Sequence, residues 1–247
     1  MTSVYCGVIF PVLSSRQSLS IFKGYTVNIL IFGTSGMLGQ AVIRESLDAP
    51  DIQLIRAICR TPTGFTHPKY DEIIHTDFTD LTNIEAKLSN FDACFFSLGV
   101  SANGKTEAEY THFNYGIPLV AGKTLSRLNP QMTFVYVSGA GTDSSAQGKS
   151  MWARVKGRTE NDLQKLPFKR VFLFRPGVIR PLNGIHSKTK AYDVFYRLSA
   201  PLLWALQFII PRYILSTTII GQAFLTVARK GAAKAVLESA DIFELTQ

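Results

Sequence analysis

Short apolar runs alternate with amphipathic segments along most of the chain. The segments Val27–Phe32 and Thr133–Val137 are rich in β-branched and aromatic residues, which is typical of strands buried on both faces of a parallel sheet. Residues 37–47 place apolar side chains at helical spacing, and Pro50 follows shortly after them. The same patterns predict strands at 27–32, 53–59, 72–75, 93–98, 133–137 and 171–174, and helices at 37–47, 81–88, 106–128 and 150–164.

The alternation of strands and helices predicts an α/β protein with a doubly wound parallel sheet. No linker-like stretch divides residues 25–247, so we expect a single domain. The alternation is lost after Pro181, where we expect a small C-terminal helical lobe beginning at about residue 182 and one late strand near 241–245. Residues 1–24 are interpreted as an extension, which is a flexible tail, a weak targeting segment or the non-native product of an upstream start codon.

The first strand runs directly into a glycine-rich loop that is followed by a helix. Gly33 permits a sharp turn, Gly36 lets a ligand approach the backbone, and Gly39 allows the helix to pack closely against the strand. The N–H groups at a helix N-terminus carry partial positive charge and bind phosphate. The loop is therefore predicted to bind a diphosphate, although the pattern also fits a plain strand–helix turn. The predicted binding residues are Gly33, Thr34, Ser35, Gly36, Met37, Leu38 and Gly39.

The end of the second strand indicates which dinucleotide the loop would bind. An acidic residue at this place usually accepts hydrogen bonds from the ribose of NAD. This strand ends in Cys59-Arg60-Thr61 without an acid, and Arg60 can pair with a 2′-phosphate. We therefore expect NADP(H) rather than NAD(H), the alternative being that Arg60 is a solvated charge. Asp77-Phe78, after the third strand, fits an adenine contact and a helix N-cap equally well.

The order of these motifs resembles the short-chain dehydrogenase/reductase superfamily, whose members have a Rossmann fold. The GxxGxxG spacing of the loop fits its extended and atypical branches. Several further blocks resemble the atypical group that includes the human Tat-interacting, NADPH-binding protein, and the resemblance covers roughly Val27 to Pro181. The blocks are HTDF at 75–78, FFSLG at 95–99, VYVSGAG at 135–141, RVKG at 154–157 and FRPGV at 174–178.

The resemblance implies further site residues. Ser138 matches the serine that orients the substrate, and Lys156 matches the lysine that holds the nicotinamide ribose and lowers the pKa of a catalytic tyrosine. Asn114 lies where the family has a structural and proton-relay asparagine. The turn beneath the cofactor would be Ser97-Leu98-Gly99, and the backbone at Pro176-Gly177 would run beside the nicotinamide carboxamide.

The chain departs from the family pattern at the catalytic tyrosine. The family motif is Tyr-x-x-x-Lys, and the residue four positions before Lys156 is Trp152. An indole N–H donates a hydrogen bond but does not titrate usefully, so Trp152 cannot be the ordinary acid of carbonyl reduction. Two interpretations of Trp152 stay open: a core aromatic residue, or a cleft residue that orients a carbonyl, stacks on the nicotinamide or plugs the pocket.

Other side chains are candidates for the missing proton donor. His186 and Tyr192 lie after Pro181, where the resemblance implies a substrate lobe, and each also fits an ordinary surface or core position. Tyr136 is excluded as a donor to substrate because it alternates with Val135 and Val137 in a buried strand.

Net charge and cysteine content limit the kinds of ligand and site that the chain can have. The chain carries 26 Lys and Arg against 18 Asp and Glu, a formal net charge of +8, with much of the surplus between residues 145 and 197. This surplus fits a phosphorylated ligand, an anionic membrane or a solvated face, whereas no RNP-type aromatic signature supports sequence-specific nucleic-acid binding. Three widely spaced cysteines without a histidine cluster support neither a disulfide framework nor a metal site, and they favour a cytoplasmic location.

An apolar stretch at residues 198–210 is too short to span a bilayer. We interpret it as core or as a homodimer face, and less readily as a weak peripheral contact with a membrane.

Together these features predict an NADP(H)-binding protein of the short-chain dehydrogenase type. The favoured function is that of an oxidoreductase on a small carbonyl or hydroxyl substrate, in a group that also contains epimerases and dehydratases. The alternative is a non-catalytic NADPH sensor or a regulatory scaffold, because the catalytic tyrosine is replaced.

Overall fold

The computed structural model describes residues 26–185, 203–204, 206–207 and 209–247. The N-terminal extension at 1–24 and the candidate donors His186 and Tyr192 lie outside the described residues. The expectations about them therefore stay predictions.

The centre of the molecule is a seven-stranded sheet whose neighbouring strands are paired in parallel. The strands of the chain are β1 (Val27–Phe32), β2 (Ile52–Cys59), β3 (Tyr70–Ile74), β4 (Ala93–Phe96), β5 (Thr133–Val137), β6 (Arg170–Arg175), β7 (Val178–Arg180), β8 (Ile214–Ser216) and β9 (Val236–Glu238). The spatial order in the large sheet is β3-β2-β1-β4-β5-β6-β9, so the order reverses between β1 and β4. This arrangement confirms the doubly wound α/β fold, in which ligands bind beyond the carboxyl ends of the strands at the reversal point.

The strands are apolar on both sides because helices cover both faces of the sheet. Ile29 and Ile31 of β1 pack into one core cluster together with Val42. Leu30 and Phe32, which alternate with them, belong to the cluster on the opposite face. All five side chains are fully buried, so β1 is fixed in register and in height above the sheet. The loop that follows β1 therefore starts from a rigid position.

The helices connect the strands and lie on the two faces of the sheet. They are α1 (Met37–Asp48), α2 (Glu107–Thr111), α3 (Ile117–Leu128), α4 (Met151–Leu163), α5 (Thr217–Lys230) and α6 (Ser239–Glu244), together with a 3₁₀ helix at Thr82–Lys87 and a π-helical turn at His112–Gly116. A capping box between Thr106 and Glu109 begins α2. The single helix predicted for 106–128 is thus two α-helices joined by a π turn.

The late strand predicted near 241–245 is wrong. These residues form α6, and the last strand of the sheet is β9, which ends before it. The backbone N–H of Glu238 donates to the Asp241 carboxylate at 3.1 Å, which closes a capping box and starts a helix here. The small parallel pair β7 and β8 was not predicted either. Within the described residues, no helix combines the length and the apolar character that crossing a bilayer requires.

Helix α5 packs directly on α1 through a close approach of the two backbones. A Cβ atom at Gly221 would lie 2.9 Å from the Ala41 carbonyl oxygen, so only a glycine fits the observed separation. At the far end of α5, Arg229 binds both carboxylate oxygens of Asp51, which precedes β2. The C-terminal part of the chain is thereby tied to the first helix of the sheet.

The α1–α5 contact yields a prediction for stability. Gly221→Ala should lower the free energy of unfolding by about 1–2 kcal/mol, because overpacking outweighs the gain in helix propensity. Gly116→Ala is the matched control, since its added Cβ would lie 3.9 Å from the nearest atom, the Thr111 carbonyl oxygen. The control should be neutral or stabilising by up to about 1 kcal/mol. Urea unfolding measures both values, and equal effects would contradict the close contact.

Candidate functional site

The loop after β1 leaves a helix N-terminus open. Gly33 turns the chain with φ of +92°, and its carbonyl oxygen accepts from the Gly36 N–H at 3.0 Å. Gly36 is the N-cap of α1 and offers no side chain, and the first turn of α1 contains no acidic residue. Among the described residues, the N–H groups of positions 37–39 have no acceptor in the protein. The end of α1 is therefore free to bind an anion, and binding of a diphosphate there stays a prediction.

Two glycines make this loop possible through close contacts. A Cβ at Gly33 would lie 2.6 Å from the Leu98 backbone nitrogen, and a Cβ at Gly39 would overlap the Gly33 carbonyl group. Ser97 supports the turn from beneath, because its hydroxyl donates to the Phe32 carbonyl oxygen at 3.1 Å. Ser97, predicted to contact the cofactor, is thus bonded to the first strand, while Leu98 and Gly99 continue into the cleft.

A small cleft of about 160 Å³ lies at the carboxyl ends of β2, β3 and β4. It brings together five residues that the sequence predicted to bind the cofactor: Arg60, Asp77, Phe78, Leu98 and Gly99. Its lining also contains the unpredicted residues Thr76, Thr79, Val100, His112, Phe113 and Ile117. We call this space the strand-end cleft.

The charged groups of the strand-end cleft have different partners. The Thr79 hydroxyl and backbone N–H donate to one Asp77 carboxylate oxygen, which holds the pKa of Asp77 below its usual value. The carboxylate therefore stays ionised and keeps a second oxygen for another donor. Arg60 is exposed and makes no hydrogen bond or ion pair with any other residue that the structure describes. Its guanidinium is available to an anionic ligand.

A larger cleft of about 730 Å³ lies on the other side of the β2 end. It begins at Thr34 and Ser35 of the loop, follows α1 as far as Asp48, and is bordered by residues 61–63 and 183–185. Arg60 lines the strand-end cleft and Thr61 lines this larger one, so the β2 end separates the two spaces.

Asn114 is fully buried in the π turn and connects three segments. Its side-chain oxygen accepts from the Val100 N–H at 3.3 Å, and its side-chain nitrogen donates to the carbonyl oxygens of Val100 and Tyr110. The loop after β4 is thereby held against the helix. All of these bonds are to backbone, so the side chain holds the loop in place, and its predicted role as a proton relay stays a prediction.

Lys156 lies on α4 beneath Gly99 and is only 7% exposed. Its Nζ donates to the Tyr136 hydroxyl at 2.9 Å and to the Val137 carbonyl oxygen at 3.2 Å. Burial lowers the pKa of Lys156 to about 8, although the charge of Glu160 opposes this shift. The side chain can therefore change its charge near neutral pH, next to the strand-end cleft.

Ser138 is bonded to a buried ion cluster. Its hydroxyl donates to Glu160, and it also lies 3.3 Å from the Phe174 carbonyl oxygen. Glu160 pairs with Arg175 through both carboxylate oxygens, and Arg175 also donates to Glu238 at 3.2 Å. The hydrogen bonds from Arg175 to Glu160 hold the pKa of Arg175 above its usual value. In this arrangement the hydroxyl of Ser138, a partly exposed residue, is already bonded within the protein.

Trp152 stands at the start of α4, one turn before Lys156, and is partly exposed. The indole ring lies against Gly141, where an added Cβ would be 3.5 Å from the ring. Trp152 lines neither the strand-end cleft nor the larger cleft. Its packing on the loop after β5 leaves the two interpretations of this residue open.

The backbone at Pro176-Gly177 closes the site on the β6 side. The Pro176 carbonyl oxygen accepts from the Ala140 N–H at 3.0 Å, and the Gly177 N–H donates to the Ser239 hydroxyl at 2.8 Å. This segment thus lies against the loop that follows β5, near Ser138. Its predicted contact with a nicotinamide stays a prediction.

Sequence reasoning missed several residues that organise the site. Glu160 and Arg175 form the buried ion pair beside Ser138, and Tyr136 contacts Lys156 although it had been excluded as a donor to substrate. One available signal was that Glu160 follows Lys156 by one helical turn on a face otherwise apolar. The contact between Tyr136 and Lys156 joins different elements and had no local signal.

The ion cluster yields a prediction for stability that compares a buried with an exposed partner of Arg175. Glu160 is 1% exposed and Glu238 is 48% exposed, and both bind Arg175. Glu160→Gln should lower the free energy of unfolding by about 3 kcal/mol, because it leaves a buried guanidinium without its main counter-ion. Glu238→Gln, the matched control, should cost less than about 1 kcal/mol, because that pair is solvated. Chemical denaturation at one pH distinguishes the two, and similar losses would contradict the assigned roles.

Comparison with curated proteins identifies distant relatives. The mitochondrial protein FMP52-2 of Scheffersomyces stipitis is 28% identical over 151 residues, which cover 60% of this chain and 65% of the relative. Protein HTATIP2 of Rattus norvegicus is 24% identical over 160 residues, with 64% and 65% covered. Protein FMP52 of Saccharomyces cerevisiae, also named mitochondrial, is 26% identical over 179 residues, with 71% and 74% covered. The first of these matches spans less than two thirds of its relative's length.

The names of the FMP52 proteins contradict the expected cytoplasmic location, which is corrected here. That expectation rested on cysteine usage. Cysteine usage reports whether the surroundings keep thiols reduced, and it does not specify a compartment.

Solved structures show the same fold at low sequence identity. A short-chain dehydrogenase/reductase family oxidoreductase from Burkholderia thailandensis superposes with a TM-score of 0.64 at 17% identity, covering 89% of this chain and 93% of that one. The Bordetella bronchiseptica enzyme WbmF in complex with NADH gives a TM-score of 0.63 at 12% identity, with 90% and 75% covered. No family model matches the chain. The chain thus has the Rossmann fold of these solved structures, and its sequence is similar to the FMP52 and HTATIP2 proteins, in keeping with its resemblance to the atypical short-chain dehydrogenases/reductases.

Proposed function

We propose that this protein binds NADP(H) and acts as an oxidoreductase on a small carbonyl or hydroxyl substrate. The observation that carries the proposal is the open N-terminus of α1 together with the strand-end cleft, which adjoins the loop where Leu98 lies against Gly33. One end of this arrangement offers backbone N–H groups to a diphosphate, and the other offers Arg60 and Asp77 to an adenosine. Structural neighbours of the same fold, such as WbmF, were solved with NAD or NADH, which supports a nicotinamide nucleotide as the ligand class.

The residues present fit such a nucleotide. The glycines of the loop keep side chains away from the α1 N-terminus, where a diphosphate needs close approach to backbone. At the β4 end, Gly99 lets the loop pass close to Asn114, since a Cβ there would lie 2.7 Å from the Asn114 side-chain oxygen. Asp77 remains ionised and has a free carboxylate oxygen that can accept from an amino group.

The preference for NADP(H) rests on the guanidinium of Arg60, which has no partner among the residues that the structure describes. A 2′-phosphate carries charge that Arg60 can neutralise, whereas a ribose hydroxyl gains little from an arginine. Cys59, Arg60 and Thr61, which complete β2 and its turn, include no acidic residue, and the nearby carboxylate of Glu72 accepts from the Thr63 N–H. The NAD complexes of distant neighbours concern those proteins and leave this preference as our proposal.

The chain's own residues would supply binding and orientation in the reaction, and the nicotinamide would supply the hydride. Lys156 lies next to the strand-end cleft, and its lowered pKa lets it change charge near neutral pH. There its ammonium can bind ribose hydroxyls. Trp152 can donate a hydrogen bond from its indole but cannot deliver a proton. Proton transfer therefore requires water or a side chain other than Trp152, and His186 and Tyr192 remain candidates.

A second function, binding of NADPH without turnover, is favoured by one specific arrangement. The Ser138 hydroxyl is bonded to Glu160 and lies within reach of the Phe174 carbonyl oxygen, and position 152 holds a residue without a titrating group. Of the four positions to which the family resemblance assigns a role in the reaction, positions 138 and 152 are thus not poised for it. In this case the protein would sense or sequester the nucleotide.

We further propose a mitochondrial location. The FMP52 relatives are named as mitochondrial proteins, and residues 1–24 contain Arg16 and Lys23, several serines and no acidic residue. Such a composition is typical of targeting segments of this organelle.

Nucleotide selectivity tests the proposed ligand. Arg60→Ala should weaken NADPH binding by roughly 10- to 100-fold, the loss expected for one charge-assisted contact to a phosphate, and leave NADH binding nearly unchanged. Arg127→Ala is the charge control, because Arg127 lies in the last turn of α3 and pairs with Glu85. Fluorescence titration with both nucleotides gives the constants. Equal affinity of the unaltered protein for NADH and NADPH would refute the role of Arg60.

Restoring a phenol tests whether chemistry occurs without one. Trp152→Tyr should raise the rate of carbonyl-dependent NADPH oxidation at least about tenfold, since a positioned general acid contributes 10²–10⁴-fold. Trp152→Phe removes the indole N–H without adding a hydroxyl and serves as the control. Turnover by the unaltered protein that exceeds a Lys156→Ala background supports the oxidoreductase. Tight NADPH binding with no turnover before the substitution supports the second function.

A further inference from the structure

A buried tyrosine lies directly beneath Lys156. Tyr136 on β5 is fully buried, and its hydroxyl accepts from Lys156 Nζ at 2.9 Å. The same hydroxyl donates to the Asn114 carbonyl oxygen at 3.1 Å. A phenol has one proton to donate, so this second bond fixes the direction of the first, and the oxygen lone pairs face the lysine. The result is a directed chain from Lys156 through Tyr136 to Asn114.

The Asn114 carbonyl oxygen is free to end this hydrogen-bond chain because a proline follows four residues later. In a regular α-helix the Asn114 carbonyl would accept from the N–H of residue 118, and residue 118 is Pro118, which has none. Here the carbonyl accepts from the Tyr136 hydroxyl and from the Thr159 hydroxyl, the latter at 2.8 Å. Two side chains thus satisfy a buried carbonyl that the helix cannot satisfy at that position.

We propose that Tyr136 is a positioning residue that fixes Lys156 at the edge of the strand-end cleft and stabilises its charged form. This inference rests on the proposed function, in which Lys156 binds the nucleotide ribose. Two Nζ hydrogens of the ammonium bind Tyr136 and the Val137 carbonyl oxygen, which leaves one hydrogen to point toward Gly99 and the cleft. Tyr136 does not contact the ligand itself.

The charges around Lys156 come from three elements. Glu160, on the same helix, stabilises the ammonium, but Glu160 is itself paired with Arg175 of β6. From β5, Tyr136 contributes its hydroxyl, and burial together with the neighbouring Tyr110 of α2 raises the pKa of Tyr136 well above its usual value. The phenol therefore stays neutral throughout the range in which Lys156 titrates, and it acts only as a hydrogen-bond acceptor for the lysine.

The experiment measures the titration of Lys156 in the full-length protein without nucleotide. The ¹³Cε resonance of Lys156, assigned with Lys156→Met, is followed against pH in the unaltered protein and in Tyr136→Phe. Removing the acceptor should lower the pKa of Lys156 by ~1–2 from its starting value near 8, because the charged form loses a hydrogen bond. Tyr115→Phe is the matched control, since it also removes a phenol hydroxyl in contact with α4, but that hydroxyl donates to Asp162 at 2.9 Å rather than binding Tyr136 or Lys156.

A fall in the pKa of Lys156 in Tyr136→Phe but not in Tyr115→Phe supports the proposal. An unchanged pKa in a folded Tyr136→Phe, or the same fall in both variants, overturns it. If Tyr136→Phe does not fold, 3-fluorotyrosine is incorporated at position 136, because it keeps the hydroxyl but weakens it as an acceptor. The proposal then requires a smaller fall in the pKa of Lys156.

Nucleotide titration with the same proteins separates this inference from the proposed function. NADPH binding should weaken in Tyr136→Phe as the pH rises through 7 to 8, where the unaltered protein still keeps much of its lysine charged. Failure of every protein to bind NADPH would overturn the proposed function, and the titration of Lys156 would still decide the role of Tyr136.

Discussion

A missing backbone N–H organises the centre of this molecule. Proline at position 118 cannot donate to the carbonyl of Asn114, and the helix responds with a π turn in which that carbonyl is bound by side chains from β5 and α4. The π turn also brings the Asn114 side chain onto the loop after β4, which forms one wall of the strand-end cleft. A local defect in one helix thereby fixes the relative positions of the lysine, the tyrosine and the cleft wall.

The parallel sheet brings together the remaining parts of the site. Residues at the carboxyl ends of β1, β2, β3 and β4 are far apart in sequence, and parallel pairing places them along one edge. The loop that follows β1, the guanidinium after β2 and the carboxylate after β3 meet there because each strand is buried and fixed in register. The order of strands, rather than any single motif, creates the cleft.

Much of this edge could be predicted because its signals are local. The β1 strand, the glycine loop and the α1 helix follow one another within some twenty residues, and each has a pattern that sequence alone displays. The late strand was misplaced because Asp241 caps Glu238 and starts a helix in a segment whose apolar residues also fit a strand. The bonds of Ser138 to Glu160 and of Tyr136 to Lys156 cross between elements, so no spacing within the chain could reveal them.

The last strand has a consequence for how the site is assembled. β9 pairs with β6 and carries Glu238, which completes the ion cluster around Arg175 and, through Glu160, the anchoring of Ser138. The first four strands pair with one another without β9, whereas this cluster is complete only with residues 236–238 in place beside β6. A protein shortened by those residues would retain the anion-binding loop while its opposite wall lost an anchor.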